Sequence, residues 1–137
     1  DGVAPRGHAI ECRILAEDPE TLVPCAGQIT EVHLPGGAGI RVDTHIHPGC
    51  VVPSHYDNLL AKVVAHAPSR PEALRRMVSA LHEMHISGIG TNLGLLRAVI
   101  ADPEYASGQR DVGYLERWLA RRSGGQETCP TSQERRP

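Results

Sequence analysis

A change of rhythm near residue 68 constrains this chain more than any single motif. Up to Ala67 the sequence is cut repeatedly by Gly and Pro, and short strand-forming runs lie between the cuts: "HAIECRIL", "GQITEVHL", "GIRVDTHI" and "NLLAKVVAHA". From Ser69 the period lengthens. In "SRPEALRRMVSALHEMH", Leu74, Met77, Val78, Leu81 and Met84 fall at helical spacing, with Arg75, Arg76, Ser79 and Glu83 on the other side. Strands first and helices later define an α+β domain, with an antiparallel sheet from the N-terminal half packed against about three helices from the C-terminal half.

Local signals refine this outline. Ile29 to Leu34 alternate as a half-buried strand does, whereas "AEDPETLVPCAG" reads as a loop because Asp18-Pro19 and Pro24 exclude regular structure. Ser69 is a candidate N-cap, with Pro71 in the first turn and Glu72 three residues on. Asn92 can cap "LGLLRAVIAD", which Pro103 closes, and "DVGYLERWLARR" makes a third short helix. One domain over residues 1–122 is expected. The tail from Ser123 to Pro137 has almost no apolar residue to anchor it, so it is expected to be disordered and to carry no chemistry. The start, "DGVAPRGHA", has no cap or turn of its own, which suggests a chain cut from something longer.

Composition excludes several function classes. The 137 residues are 40% hydrophobic, enough for one core. With 14 basic and 16 acidic side chains there is no bulk attraction for nucleic acid or an anionic membrane, so any anion site must be local. The absence of Phe, with one Trp and three Tyr, removes the stacking surface of a single-strand binder. No apolar run approaches a membrane span, and the first residues lack the basic-then-apolar order of a signal peptide. Cys12, Cys25, Cys50 and Cys129 form no C-x-x-C pair and read as reduced thiols of a cytoplasmic protein.

The stretch "PGGAGIRVDTHIHPGC", Pro35 to Cys50, concentrates the candidate chemistry, and three readings compete for it. A phosphate loop fails, since the third glycine of G-x-G-x-x-G is missing and a strand, not a helix, follows. A metal site would use His45 and His47, two apart on a strand, with Cys50 and His55 close behind; no acidic residue is placed to orient the rings, and surface histidines are the plainer account. The third reading is a glycine turn that presents Arg41. Arg41 alternates with Ile40 and Val42, so it faces away from them, either as a solvated strand residue or as a fixed cation in a cleft suited to a carboxylate, bicarbonate, phosphate or enolate oxygen.

Five ordered blocks, "RGHAIECRILAEDP", "PGGAGIRVDTHI", "VPSHYDNLLAKVV", "SGIGTN" and "YLERWL", resemble the biotin carboxylase C-terminal domain from about Arg6 to Leu119. The resemblance implies part of an ATP-dependent C–N ligase. Such enzymes use ATP, Mg and bicarbonate to make carboxyphosphate, which carboxylates biotin at N1 on a carrier protein. The carboxyl group then passes to an acyl-CoA such as acetyl-CoA, the opening of fatty acid biosynthesis. The implied partners are N-terminal and ATP-grasp domains, a biotin carboxyl carrier protein, a carboxyltransferase and a second copy in a homodimer. The chain by itself is expected to be inactive.

The resemblance also assigns residues. Arg41 takes the catalytic and biotin/bicarbonate-binding position, where a fixed cation would stabilise charge developing on the ureido oxygen. Val112 and Gly113 resemble the segment nearest the adenine of the nucleotide. Arg13, Glu17, Tyr56, Asp57 and Lys62 match further blocks, but Glu17 and Asp18 read as loop-fixing residues and Lys62 as a surface strand residue. His47, Cys50, Ser54 and His55 replace residues usual in the family, and Ser87 stands where an Asp often precedes the glycine. No Ala-Met-Lys-Met biotinylation loop is present, which puts the carrier on another chain or region. Two other classes remain open from residues alone: a non-catalytic dimerisation or interaction module of the same fold, and a small metal-binding protein using His45, His47 and Cys50.

Overall fold

The computed structural model describes residues 2, 4–55, 57–108 and 111–123. Its centre is β6 (Leu59–Ala67), paired antiparallel on one side with β1 (His8–Leu15) and on the other with β4 (Ile40–Thr44). Alternation sorts the two faces. Ile10, Cys12 and Ile14 of β1 and Ala61, Val63, Ala65 and Ala67 of β6 are buried inward. Ala9, Glu11 and Arg13, Lys62, Val64 and His66, and Arg41 and Asp43 take the other parity and point outward. The small residues of β6 let α1 (Arg70–Glu83) lie close to the sheet, where Met77, Leu81 and Met84 are fully buried. Each such side chain contributes about 1.5–3 kcal/mol of apolar burial.

The run from Gly27 to Leu34 does not make one strand. Its first part, β2 (Gly27–Gln28), pairs with β5 (Val51–Val52), and its second, β3 (Glu31–His33), pairs with β7 (His85–Ser87), a strand in the helical half with no sequence-level expectation. Ile29, fully buried, marks the change of partner: its N–H donates to the Cys50 carbonyl, and the next N–H, that of Thr30, donates to the Ser87 carbonyl. Gly88, at φ +94°, turns the chain where its backbone crowds the Gln28 carbonyl and the Thr30 amide, so no side chain fits there.

The helices number four among the described residues, one more than the sequence suggests. The addition is α3 (Pro103–Ser107), between α2 (Leu93–Ile100) and α4 (Tyr114–Ser123). Pro103 both stops α2 and opens α3, because its missing N–H is harmless at the first helical position. The two expected caps behave differently from the cap geometry. Ser69 occupies the N-cap position of α1 but its hydroxyl donates to Glu72, 2.9 Å away. Asn92 turns its buried amide toward β1, accepting from the Leu15 N–H at 2.9 Å and donating to the Arg13 carbonyl at 3.1 Å. It therefore ties α2 to the sheet instead of capping its own helix.

At the other end of α1, Arg97 of α2 donates to the carbonyls of Leu81 at 2.8 Å and Met84 at 2.9 Å. Those are groups the helix leaves without partners, and a cation there also suits the helix dipole. The expected disordered tail lies outside the described residues from Gly124 onward, as does Cys129. The other three cysteines are free thiols, and burial pushes the Cys12 thiol up to about 11, which leaves it unreactive near neutral pH.

Asp102 joins the last three helices. One carboxylate oxygen accepts from the N–H groups of Glu104 and Tyr105, and the other accepts from the Trp118 indole at 3.1 Å. Burial works against the charge, but these donors outweigh it and hold the carboxyl below its ordinary value. A folded pKa below the unfolded one contributes stability that is present above the unfolded value, about 3.9, and lost as pH falls through the folded value. Trp118 is the sole tryptophan and reports this contact directly. Its fluorescence should shift as pH drops below about 4, and Asp102→Asn should remove that step. An Asp102→Asn protein with the same acid transition would show that other carboxylates govern it.

Candidate functional site

The glycine turn is what aims Arg41. Gly37 and Gly39 take φ of +109° and +77°, and the Ile40 N–H closes the turn on the Gly37 carbonyl at 3.1 Å. The Gly39 carbonyl accepts from the His66 N–H at 2.7 Å, and the His66 carbonyl accepts from the Arg76 guanidinium at 2.7 Å. A Cβ on Gly39 would run into both that guanidinium and the His66 carbonyl. The turn is thereby stitched to β6 and α1, which sets the register that puts Arg41 opposite Val64 on the outer face.

On that face the Arg41 side chain is 71% exposed, with Nη2 3.3 Å from a carboxylate oxygen of Asp43. In the row beside it Asp43 faces Lys62, which in turn faces Arg13 of β1; in the row of Arg41, Val64 separates it from Glu11. Arg13 and Glu11 form their own pair at 3.1 Å. Exposed ion pairs of this kind contribute about 0–1 kcal/mol, so an incoming oxyanion can take the place of Asp43 on the guanidinium without large cost. What the arrangement offers chemically is a pre-placed, permanently charged fork on a rigid strand. The partnership with Asp43 went unread in the sequence, although the R-x-D spacing on a strand is its signal.

The other candidate residues lie apart. Val112 and Gly113 occupy the turn before α4, where the Gly113 N–H donates to the Asp111 carboxylate at 3.0 Å. Arg117, hydrogen bonded to Asp111 at 3.0 Å, holds that carboxyl below its ordinary value. Val112 is fully exposed, at 104%, an apolar side chain with nothing over it among the described residues. No hydrogen bond or ion pair among the described residues joins this turn to Arg41. Asp18 fixes its loop as expected, accepting from the N–H groups of Glu20 and Thr21 and from the Thr21 hydroxyl, and Glu17 accepts from Asn58 at 3.3 Å. Tyr56 lies outside the described residues.

The metal reading gains no geometry. His45 and His47 are exposed on either side of buried Ile46, and the Nδ1 of His47 is 2.9 Å from the Pro48 carbonyl oxygen. Among the described residues no three His, Cys, Asp or Glu side chains gather as a metal set. A cleft of about 720 Å³ between the loop at Pro19–Leu22 and helices α2 and α4 shares no lining residue with the outer sheet face.

Fold and comparison with solved structures agree on a class, the C-terminal domain of the biotin carboxylase component of biotin-dependent carboxylases. The biotin carboxylase domain dimer of Hydrogenobacter thermophilus 2-oxoglutarate carboxylase, solved with MgADP, ADP and bicarbonate, superposes with a TM-score of 0.81 at 39% identity, covering 83% of this chain and 25% of that one. The biotin carboxylase subunit of a pyruvate carboxylase gives 0.81 at 37% identity, over 84% of this chain and 26% of that one. A biotin carboxylase from Allochromatium vinosum is 47% identical over 114 residues, 83% of this chain and 25% of the relative. The family model of the biotin carboxylase C-terminal domain matches residues 11–117. The chain belongs to the biotin carboxylase C-terminal domain family, and it spans about a quarter of the length of these relatives.

Proposed function

We propose that residues 1–122 act as the C-terminal domain of a complete biotin carboxylase and contribute Arg41 to the ATP- and bicarbonate-dependent carboxylation of carrier-bound biotin. The observation that supports this most is the exposed Arg41 fork on the outer face of β4, held in place by the glycine turn and only weakly engaged by Asp43. Biotin, when presented there by its carrier, supplies a ureido group whose oxygen gains negative charge as N1 loses its proton. Arg41 binds and orients that oxygen or the bicarbonate, and its charge favours the ionised form.

Nucleotide fits this chain only at its edge. Val112 offers an uncovered apolar surface to the flat face of an adenine. The Mg ion, the phosphates and the bulk of bicarbonate binding, with the general base, belong to the ATP-grasp portion. The carrier protein and the carboxyltransferase are separate chains or regions, acetyl-CoA is the acceptor in the simplest system, and the complete enzyme works in the cytoplasm as a homodimer. No helix among the described residues is long and apolar enough to cross a membrane.

The test joins the chain to biotin carboxylase N-terminal and ATP-grasp portions and measures bicarbonate- and biotin-dependent ATP hydrolysis. Turnover by the joined protein and none by the chain alone is the expected result. Turnover by the chain alone, or none from a folded joined protein that binds ATP, would overturn the reading.

A further inference from the structure

Between the glycine turn and the flank of α1 lies an open cleft of about 240 Å³, whose lining includes Gly36, Ala38, Arg75, Arg76, Ser79 and Glu83. None of the charged residues of the outer sheet face lines it, so it is a separate place on the molecule. The helix brings three donors to it, because positions 75, 76 and 79 share one side of α1. Arg75 and Ser79 have no hydrogen-bonding or ionic partner among the described residues. Arg76 donates one N–H to the His66 carbonyl at 2.7 Å, and the rest of its fork makes no hydrogen bond among those residues. Glu83 alone of the lining residues is acidic, and the His33 imidazole stands 3.5 Å from its carboxylate.

The turn supplies donors of another kind. The N–H groups of Gly36, Gly37 and Ala38 bond to nothing among the described residues, although the carbonyls of Gly37 and Gly39 are both engaged. Across Gly37, Ala38 and Gly39 φ alternates in sign, at +109° and +77° for the two glycines and negative for Ala38. Alternation of this kind in a turn gathers successive N–H groups into an anion-binding concavity. Nucleotide loops set a phosphate on a helix N-terminus. Here the cations come from the side of a helix, so the cleft does not depend on the G-x-G-x-x-G spacing. We infer that this cleft binds a phosphate group, with Arg75 and the uncommitted donors of Arg76 on its oxygens and the turn amides completing the cage. A doubly charged tetrahedral group has enough oxygens to use this many donors at once, and arginine forks match it two bonds at a time. Bound there, it ties the glycine turn to α1 a second time, beside the bond from Arg76 to His66.

The test is phosphate binding by the complete carboxylase, with the nucleotide pocket filled by Mg and a non-hydrolysable ATP analogue so that its own phosphate positions are taken. Equilibrium dialysis with inorganic phosphate at constant ionic strength should count one ion per chain. Arg75→Gln should weaken that binding about tenfold or more, the loss expected for one charge-assisted hydrogen bond, and Arg75→Lys should recover it to within about threefold. Amide exchange at residues 36–38 should slow when phosphate is added to the wild type and stay unchanged in Arg75→Gln. Sulfate should displace the ion, and chloride at equal ionic strength should not. Ser79→Ala, with far-UV circular dichroism on every protein, guards against a folding defect in the glutamine variant and should weaken binding about threefold.

Equal phosphate binding by folded wild-type and Arg75→Gln proteins would overturn the assignment. Displacement by chloride would overturn it too, since that marks a diffuse counter-ion and not a site. Glycerol phosphate tells the free ion from an ester, and tighter binding of either supports the cleft and names its source. Wild-type turnover by Arg41→Ala would leave this assignment standing, because the cleft does not use Arg41.

Discussion

Replacing Arg41 by alanine in the complete enzyme should lower biotin turnover by about a hundredfold or more and leave ATP binding intact. The size follows from the role: removing one pre-placed donor from a developing oxyanion typically costs about 3 kcal/mol in the transition state. The specificity follows from the geometry. Arg41 is exposed on the sheet face, and its bond to Asp43 at 3.3 Å is a weak surface pair, so its loss should barely change stability. Arg41→Lys keeps a charge but not the fork, and it should fall between the two. The measurement is bicarbonate-dependent ATP hydrolysis with and without biotin, alongside nucleotide binding by fluorescence titration. Wild-type turnover in a folded Arg41→Ala protein would leave the glycine turn as a structural corner and nothing more.

Gly39→Ala should be the most damaging single methyl group at the site. Its φ of +77° is a backbone state that alanine resists, and the added carbon would meet the Arg76 guanidinium and the His66 carbonyl. Something must move, and the candidates are the hydrogen bonds that stitch the turn to β6 and α1. Backbone strain of about 1–3 kcal/mol, together with about 1 kcal/mol or more for each bond lost, gives a destabilisation of about 3 kcal/mol. Urea denaturation should show a clearly lower midpoint, and turnover should fall too, because the register that aims Arg41 begins at this residue. Gly36→Ala is the matched control. A Cβ at Gly36 meets nothing within 4 Å, and its backbone is not in the left-handed region, so the midpoint should stay within about 0.5 kcal/mol of wild type. Equal midpoints for the two variants would show that the turn tolerates rearrangement.

Local patterns carry local structure well in this chain. β1, β4, β6 and α1 sit where alternation and helical spacing put them, since each has one apolar face and clear punctuation. The failures share a cause, which is dependence on a distant partner. Nothing within "GQITEVHL" says that its two ends pair with different strands, or that His85–Ser87 waits beyond α1 to receive the second. Asn92 looks like a cap because asparagine before a helix usually is one; only the approach of β1 gives its amide better partners. Pro103 reads as a stop, and its second role as a helix opener appears only with Asp102 capping behind it. For the site, alternation showed that Arg41 faces away from the core. It could not show that Glu11 and Asp43 are each held by an arginine of their own strand, which depends on side-chain positions across a sheet.

The Arg97 guanidinium on the final carbonyls of α1 has a consequence for how the helical half comes apart. The last turn of an isolated helix frays first, since its carbonyls have no partner within the helix. Here those carbonyls are held by a side chain of α2, and α2 is held in turn to β1 through Asn92 at its start. Fraying of α1 therefore costs the two Arg97 hydrogen bonds as well, which couples its last turn to α2 and, through Asn92, to the sheet. The two helices and the edge strand should therefore open as a single cooperative unit, with the backbone amides of all three exchanging with solvent at one common free energy.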